Sequence, residues 1–233
     1  MSLNSLKVFG LIPARSGSKG IKNKNMIEVN GKPLVDYSID ASKASHYVDE
    51  TFLSSNSKEI LDHGLLRNIS IVKRPDKYAS DEANANDVVL HFNDYLVNQK
   101  IIAEDEDYYL SYLQPTSPLR NSKILDESFK LLVDSSEDSL ISLVENEHTP
   151  FKSFFLNDDG LAESLFEESL SNQNRQKLRK TYRTNGAIYT FLMSKFLKNG
   201  GFPSNFSKPF IMNKTESLDI DSYEDLDVLK SRF

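Results

Sequence analysis

The stretch KVFGLIPARSGSKGIKNKN, residues 7–25, joins an apolar run directly to a basic run that contains two glycines. The apolar run shows no alternation of polar and apolar residues, which is typical of a strand buried on both faces of a parallel sheet. The basic run brings Arg15, Lys19, Lys22 and Lys24 close together, although the chain as a whole is acidic. The stretch therefore predicts a central first strand followed by a loop with local positive charge.

The following chain alternates strand-like runs with segments of helical periodicity. Leu34, Tyr37 and Ala41 lie at helical spacing, and so do Val88 and Phe92. This alternation predicts βαβ units in an α/β fold with a doubly wound, mainly parallel sheet. The strand-like runs are VDETFLSS, ISIVKR, DYYLSYLQ, SLISLV and AIYTFLM.

The alternation breaks between Glu145 and Arg183. This segment contains a hairpin signal, NDDG, and then a polar, basic run, SNQNRQKLRKTYRTNG. We predict a single domain over residues 5–233, in which residues 145–183 form an inserted segment that makes dimer contacts.

Composition excludes several classes of function. The 233 residues include no cysteine, so no disulfide, thiolate nucleophile or cysteine-based zinc site is available. A formal net charge of −6 gives no general attraction to nucleic acid or to an anionic membrane, and neither is expected as a partner. No apolar run approaches the roughly 18–20 residues of a membrane span. We expect a cytoplasmic protein.

The basic loop has two interpretations. Ligands of open α/β sheets bind beyond the carboxyl ends of the strands, which is where this loop lies. Gly17 and Gly20 allow main-chain N–H groups to approach an anion, and Arg15 and Lys24 could neutralise it. A solvated loop explains the composition equally well. The sequence contains neither a G-x-x-x-x-G-K-[ST] motif nor a G-x-G-x-x-G motif.

Two acidic residues near the C-terminus are also open to two interpretations. Asp219 and Asp221 occupy alternate positions of SLDIDSYEDL, so in an extended segment both carboxylates point the same way and could share Mg²⁺. Alternatively, Asp221 and Glu224 form a capping pair for the last helix.

Two polar loops follow predicted strands. YLQPTSPLR, residues 112–120, is either an ordinary strand-to-helix turn or a binding loop stiffened by its two prolines. KRPDKYASDEANAN, residues 73–86, either caps a helix that begins at Ala83 or recognises a base.

Five segments occur in the order found in the acylneuraminate cytidylyltransferases, which this chain resembles from about Val8 to Leu226. They are IPARSGSKG with KN and GKPL, RPDKYASD, LQPTSPLR, NRQ with NGAIY, and SLDIDSYEDL. The resemblance implies a Rossmann-like nucleotidyltransferase fold and an enzyme that joins CMP from CTP to the anomeric hydroxyl of a nonulosonic acid, releasing pyrophosphate.

The resemblance also implies roles for individual residues. Arg15, Lys24 and Asp221 would be catalytic, with Asp221 as the candidate base, and Asp219 and Asp221 would hold Mg²⁺. The sugar would contact Gln114, Ser117 and Tyr189, together with Lys152 and Arg175 from the partner subunit of a homodimer. The implied nucleotide-binding residues are Leu11, Pro13, Ala14, Arg15, Gly17, Ser18, Lys24, Asn25, Arg74, Ser80, Asp81 and Ala83.

The identity of the sugar acid stays open. N-acetylneuraminic acid is favoured, and legionaminic and pseudaminic acid are the alternatives. Kdo is disfavoured because the related Kdo cytidylyltransferases normally have Arg-Leu where this chain has Lys19-Gly20. A catalytically silent nucleotide-binding protein is the alternative of a different class, although Arg15, Lys24 and the paired aspartates are all present.

Overall fold

The computed structural model describes residues 6–17, 20–80 and 82–232. Its strands are β1 (Val8–Pro13), β2 (Glu28–Val29), β3 (Lys32–Pro33), β4 (Glu50–Ser55), β5 (Ser70–Lys73), β6 (Tyr109–Tyr112), β7 (Ser139–Glu145), β8 (Phe154–Leu156), β9 (Ala162–Ser164), β10 (Tyr182–Leu192) and β11 (Lys208–Ile211). Its helices are α1 (Leu34–Lys43), α2 (Lys58–Leu66), α3 (Ala85–Asn98), α4 (Ser122–Val133), α5 (Glu168–Ser171), α6 (Met193–Asn199) and α7 (Tyr223–Lys230).

Seven strands form the main sheet in the order β11-β7-β10-β6-β1-β4-β5. β1 lies between β4 and β6 and is parallel to both, whereas β10 is antiparallel to β6 and β7. The chain builds outward from β1 through β4 and β5, and then crosses back to β6 on the other side. The predicted α/β fold with a mainly parallel sheet is confirmed. The reversal beside β1 is the place where such sheets bind ligands.

Helices cover both faces of the sheet. On one face α1 and α4 pack Val35, Ile39 and Phe129 against the strands, and on the other face α3 and α6 contribute Phe92 and Phe196. The fully buried run of β1 is explained by this double cover. None of the helices within the described ranges is long and apolar enough to cross a membrane.

A third apolar cluster joins the two ends of the chain. Ile21, in the basic loop, and Ile220, between the two acidic residues, are both fully buried in it, together with Leu226 and Leu229 of α7. The contact is close, since a Cβ at Gly20 would lie 2.5 Å from the carbonyl oxygen of Asp221. This packing brings the basic loop against the C-terminal acidic segment.

The segment between β7 and β10 lies outside the main sheet. β8 and β9 form a hairpin around NDDG, so the predicted hairpin is confirmed. The segment exposes large apolar side chains: Phe154, Phe155, Leu156, Leu161 and Phe166 are between 44% and 76% exposed. β7 ends at Glu145 and β10 begins at Tyr182, and the assignment of residues 145–183 to an inserted dimer segment stays a prediction.

Two expected helix starts are wrong. α3 begins at Ala85 rather than Ala83, because Asn84 and Asp87 form its capping box. α7 is capped by Ser222 and Asp225, not by Asp221 and Glu224. The capping interpretation of Asp221 is therefore wrong.

Candidate active site

A chamber of about 440 Å³ opens at the carboxyl ends of β1 and β6, and we call it the first chamber. Its volume lies in the range of small-molecule sites. Pro13 and Tyr112 supply its floor at the two strand ends, and the loop between β5 and α3 forms one wall. The basic loop forms the opposite wall. Its lining includes Arg15, Lys24, Asn25, Arg74, Tyr78, Ser80, Ala83, Asn84, Gln114, Thr116 and Asp221.

Arg15 bridges the two walls of the first chamber. Its guanidinium donates a hydrogen bond of 3.0 Å to the carbonyl oxygen of Ser80. The buried side chain of Asn25 donates to the carbonyl oxygen of Arg15 at 3.0 Å and so fixes its main chain. Arg15 is thus held at the chamber by contacts on both sides.

Arg74 is the buried cation of the first chamber. It is only 4% exposed, and its Nε and one terminal nitrogen have no hydrogen-bond partner within the described residues. Burial lowers the pKa of Arg74. Burial also lowers the pKa of His91, and the nearby positive charge of Arg74 lowers it further. Unpaired guanidinium donors in a chamber wall are suited to a ligand that offers several acceptor atoms.

Lys24 lies at the inner edge of the first chamber. Its ammonium group donates to the carbonyl oxygen of Ile220 at 2.7 Å and to Oδ1 of Asp221 at 3.0 Å. The Asp221 side chain is 75% exposed, so the ion pair contributes no more than about 1 kcal/mol to stability. A charged ligand can therefore separate this pair at little cost.

Asp219 presents an unsatisfied carboxylate oxygen. Its Oδ1 is buried with no hydrogen-bond partner in the described part of the chain. Burial raises the pKa of Asp219 and the Asp221 carboxylate adds to the rise, whereas a hydrogen bond from Thr116 opposes it. A divalent cation shared by Asp219 and Asp221 would satisfy this oxygen. No group of three or more ligating side chains occurs in the described ranges. Two carboxylates are donors of the kind that Mg²⁺ uses together with substrate phosphates, and the metal stays a prediction.

A second chamber of about 620 Å³ lies on the other side of the Asp219–Asp221 segment. Asp221 lines both chambers, which makes them neighbours. The second chamber is strongly polar, and the Lys214 ammonium pairs with the Glu147 carboxylate at 2.9 Å in its wall. Its lining includes Asn146, Glu147, His148, Arg183, Lys214, Ser217 and Asp219.

The expected sugar-contacting residues occupy different places. Gln114 lines the first chamber, and its Oε1 lies so near Gly186 that a Cβ there would be 2.4 Å away. Tyr189 is half-buried, with burial raising the pKa of its phenol. Ser117 is fully buried and donates to the carbonyl oxygen of Asn185, so its hydroxyl faces the protein interior.

The two inserted basic residues line neither chamber. The Arg175 guanidinium donates to the carbonyl oxygen of Glu147 of its own chain, beside the second chamber. Lys152 is exposed in the turn before β8. Their contribution to a partner subunit stays a prediction.

The remaining expected nucleotide residues divide into three groups. Leu11 and Ala14 are fully buried and sit in the strand end behind the first chamber. Gly17 has open space around it. Ser18 and Asp81 lie outside the described residues.

The sequence prediction missed residues in both chambers. Tyr78, Asn84 and Tyr112 line the first chamber, and Arg183 and Lys214 line the second. Tyr78 and Asn84 belong to the polar loop already singled out, and Arg183 belongs to the basic run at the start of β10. Lys214 had no such signal, because only the folded chain brings it to Glu147.

Comparison with known proteins identifies the class. A cytidylyltransferase family profile matches residues 9–225. The chain is 33% identical over 223 residues to an N-acylneuraminate cytidylyltransferase of Streptococcus agalactiae, covering 94% of this chain and 52% of that protein. It is 30% identical over 226 residues to a pseudaminic acid cytidylyltransferase of Campylobacter jejuni, covering 97% of this chain and 95% of that protein.

The fold has solved counterparts. A CTP complex of CMP:2-keto-3-deoxy-manno-octonic acid synthetase superimposes with a TM-score of 0.67, covers 97% of this chain and 98% of its own, and is 13% identical. That likeness concerns the fold alone. The chain belongs to the cytidylyltransferase family, as its motifs indicated. It spans about half the length of the streptococcal relative.

Proposed function

We propose that this protein transfers CMP from CTP to the anomeric hydroxyl of a nonulosonic acid and releases pyrophosphate. N-acetylneuraminic acid is our first candidate for the acceptor, and pseudaminic and legionaminic acid are the alternatives. The proposal is carried by the junction of the two chambers, where Lys24 contacts Asp221 beside the unsatisfied Asp219 oxygen. Cationic and anionic groups meet there in the way a metal-bound triphosphate and a second substrate require.

CTP would occupy the first chamber. The base would lie near the buried Arg74, whose guanidinium donates to ring acceptors, and the phosphates would reach Arg15 and Lys24. Lys24 would then leave Asp221 for a phosphate oxygen, since the exposed ion pair is weak. Positive charge held at the phosphates stabilises the charge that develops during transfer.

Asp219 and Asp221 would hold Mg²⁺, which, when bound, neutralises phosphate charge and orients the triphosphate. Their carboxylates are suited to this role because one oxygen of Asp219 has no other partner in the described ranges. Thr116 contacts the Asp219 side chain and so fixes its orientation from the loop after β6.

The sugar acid would enter from the second chamber. Its anomeric oxygen forms the new bond to the α-phosphorus while the bond from that phosphorus to the pyrophosphate oxygen breaks. The hydroxyl proton passes to the Asp221 carboxylate, and pyrophosphate leaves. Arg183 and Lys214 of the second chamber offer positive charge to the sugar's own carboxylate, and Gln114 of the first chamber offers a polar contact. Tyr189 lines neither chamber, and its contact with the sugar stays an expectation from the family resemblance.

The active assembly would be a homodimer formed through residues 145–183. The apolar side chains exposed on the hairpin support this assignment, because exposed clusters of this kind mark interaction surfaces. Lys152 and Arg175 would then meet the sugar of the partner subunit. We place the reaction in the cytoplasm.

The test is pyrophosphate release with CTP and Mg²⁺ in separate reactions with N-acetylneuraminic, legionaminic, pseudaminic and Kdo acids. Release with one nonulosonic acid would support the reaction and name the acceptor. Binding of CTP without release in any reaction would favour the catalytically silent alternative. Failure to bind CTP would contradict the assignment of the first chamber.

A further inference from the structure

Arg120 is the largest side chain that is fully buried within the described residues. Its guanidinium donates hydrogen bonds to three neutral oxygens. No acidic side chain within the described ranges forms an ion pair with it. Its Nε has no partner at all. Burial lowers the pKa of Arg120 to about 9. An arginine so placed is costly to the fold, which raises the question of what it does.

Two of these hydrogen bonds join main chains that border the site. One terminal nitrogen donates to the carbonyl oxygen of Ala187 at 2.8 Å and to that of Gln114 at 3.3 Å. The other donates to the hydroxyl of Ser38 on α1, which itself donates to the Gln114 carbonyl oxygen at 3.3 Å. Arg120 therefore ties the loop after β6 to β10 and to α1.

The part of β10 that Arg120 holds is irregular. The register with β7 shifts between Thr184 and Tyr189, and Gly186 within this bulge has φ +74°. A bulge releases main-chain groups from the sheet and redirects the residues beside it. The released Ala187 carbonyl is the one that Arg120 takes up. The side chain of Gln114 packs directly on Gly186, as the 2.4 Å distance to a Cβ there indicates.

We propose that Arg120 is a positioning residue that sets the side chain of Gln114 and the β10 bulge leading to Tyr189, and thereby the recognition of the sugar acid. The inference rests on the proposed function for the identity of the ligand and for the sugar contacts assigned to Gln114 and Tyr189. Arg120 itself is fully buried and lines neither chamber, so it acts through the two main chains it holds.

The planar fork of the guanidinium is essential to this role, because one group must reach Gln114, Ala187 and Ser38 together. Lysine keeps the positive charge but has a single terminal nitrogen. Arg120→Lys therefore separates positioning from charge. Ser38→Ala removes one donor to the Gln114 carbonyl and one acceptor of the guanidinium, and it leaves the hydrogen bonds of Arg120 to Ala187 and Gln114 available. Ser42→Ala is its matched control, since Ser42 is fully buried on the same helix and pairs with Thr51 at 2.7 Å instead.

The experiment measures KM for the sugar acid, KM for CTP, kcat and Tm for these three variants. It also records the side-chain amide resonance of Gln114 in the free protein by NMR, assigned with Gln114→Glu. We expect Ser38→Ala to raise the sugar KM about fivefold and Arg120→Lys to raise it more than about tenfold, both with a smaller rise in the CTP KM, because Gln114 also lines the first chamber. Both should shift the Gln114 resonance, and Ser42→Ala should change none of these values except Tm.

A sugar KM within twofold of wild type in both Ser38→Ala and Arg120→Lys, with an unshifted Gln114 resonance, would overturn the proposal. Loss restricted to Tm, equal in Ser38→Ala and Ser42→Ala, would also overturn it. If the wild-type protein uses none of the acids, the proposed function has failed, and the NMR comparison alone decides the role of Arg120. A Gln114 shift in both variants and not in the control then supports it, and its absence overturns it.

Discussion

The two chambers that meet at Asp221 are built in different ways. The first is lined by the ends of buried parallel strands and by a loop that Arg15 contacts. The second is lined by the end of β7, by Arg183 and by the C-terminal acidic segment, and several of its charged side chains are exposed. The first chamber therefore continues from the packed core, whereas the second lies among exposed side chains at the surface.

The difference bears on what each chamber recognises. Side chains fixed by a packed core can be placed accurately with respect to a ligand, as Asn25 and Arg74 are. The second chamber has fewer such supports, and it lies next to an inserted segment with an unpartnered apolar surface. We infer that recognition of the nucleotide is complete within one chain, whereas recognition of the sugar acid depends on a second copy.

The largest effect is expected at the residue that both chambers share. Asp221→Asn should lower kcat at least about 100-fold, because it removes both a proposed metal ligand and the candidate base. Tm should hardly change, since the Asp221 carboxylate is exposed and Lys24 keeps its hydrogen bond to the carbonyl oxygen of Ile220. Turnover assays with Mg²⁺ and thermal unfolding measure the two effects. Asp227→Asn is the matched control, as this exposed aspartate of α7 pairs with Lys230 and lines neither chamber.

Near-wild-type kcat in Asp221→Asn would contradict the catalytic assignment of the junction between the chambers. An equal fall of kcat in Asp227→Asn would show that the reaction needs the negative charge of the C-terminal segment as a whole rather than the Asp221 carboxylate.

The next effect tests whether the first chamber works alone. Arg15→Ala should raise the KM for CTP about ten- to hundredfold, as expected for the loss of charge-assisted hydrogen bonds worth about 1.5–3 kcal/mol. The KM for the sugar acid should change little. Lys22→Ala, at an exposed position of the same basic loop, should leave both values unchanged. If the loss of folding stability in Arg15→Ala, calculated from the fall in Tm, were as large as the loss of CTP binding free energy, a structural role for this arginine would be favoured.

The fold followed from local signals, and the junction between the chambers did not. The apolar run of β1 and the helical spacing of α1 and α3 act over a few residues, so the sequence displays them directly. The contact of Lys24 with Asp221 joins residues 197 positions apart, through burial of Ile21 and Ile220. The five motifs nevertheless marked both residues, because the family resemblance carried information that periodicity lacks.

Two details show where sequence reasoning reached its limit. Asp221 with Glu224 and Ser222 with Asp225 both have the spacing of a capping pair, one residue out of register, and only the second pair caps α7. Arg120 follows a proline turn and would be expected at the surface, since arginine is rarely fully buried. Its role depends on a bulge in β10, which no local pattern announces.

A smaller effect tests the dependence of the second chamber on another copy. Leu156→Asp, on the exposed hairpin, should turn a dimer into a monomer at micromolar concentration and raise the sugar KM about tenfold, because one charge in an apolar interface is costly. Leu66→Asp is the matched control, since Leu66 of α2 is 80% exposed against 76% for Leu156. Light scattering and kinetics report the two effects. A fully active monomer would show that both chambers are complete in one chain.

The smallest effect concerns the loop between α6 and β11, which contains one packed and one exposed phenylalanine. Phe202 packs on the rings of Tyr112 and Tyr189 beside the first chamber, whereas Phe206 is 92% exposed with φ +61°. Left-handed backbone costs an L-residue roughly 1–2 kcal/mol. Replacement by glycine removes this cost, but the larger conformational entropy of glycine in the unfolded state cancels part of the gain in stability.

Phe206→Gly should therefore raise Tm by up to about 2–4 °C, the shift that corresponds to about 1 kcal/mol in a protein of this size. Asn205→Gly is the control, because Asn205 lies in the same loop without a positive φ and should gain nothing. Thermal unfolding of the two variants at one protein concentration gives the comparison. If Phe206→Gly instead lowers Tm and weakens the dimer, the aromatic ring is buried against a second copy. The interface would then extend from the hairpin to this loop, and the dependence on a partner would reach the neighbourhood of the first chamber as well.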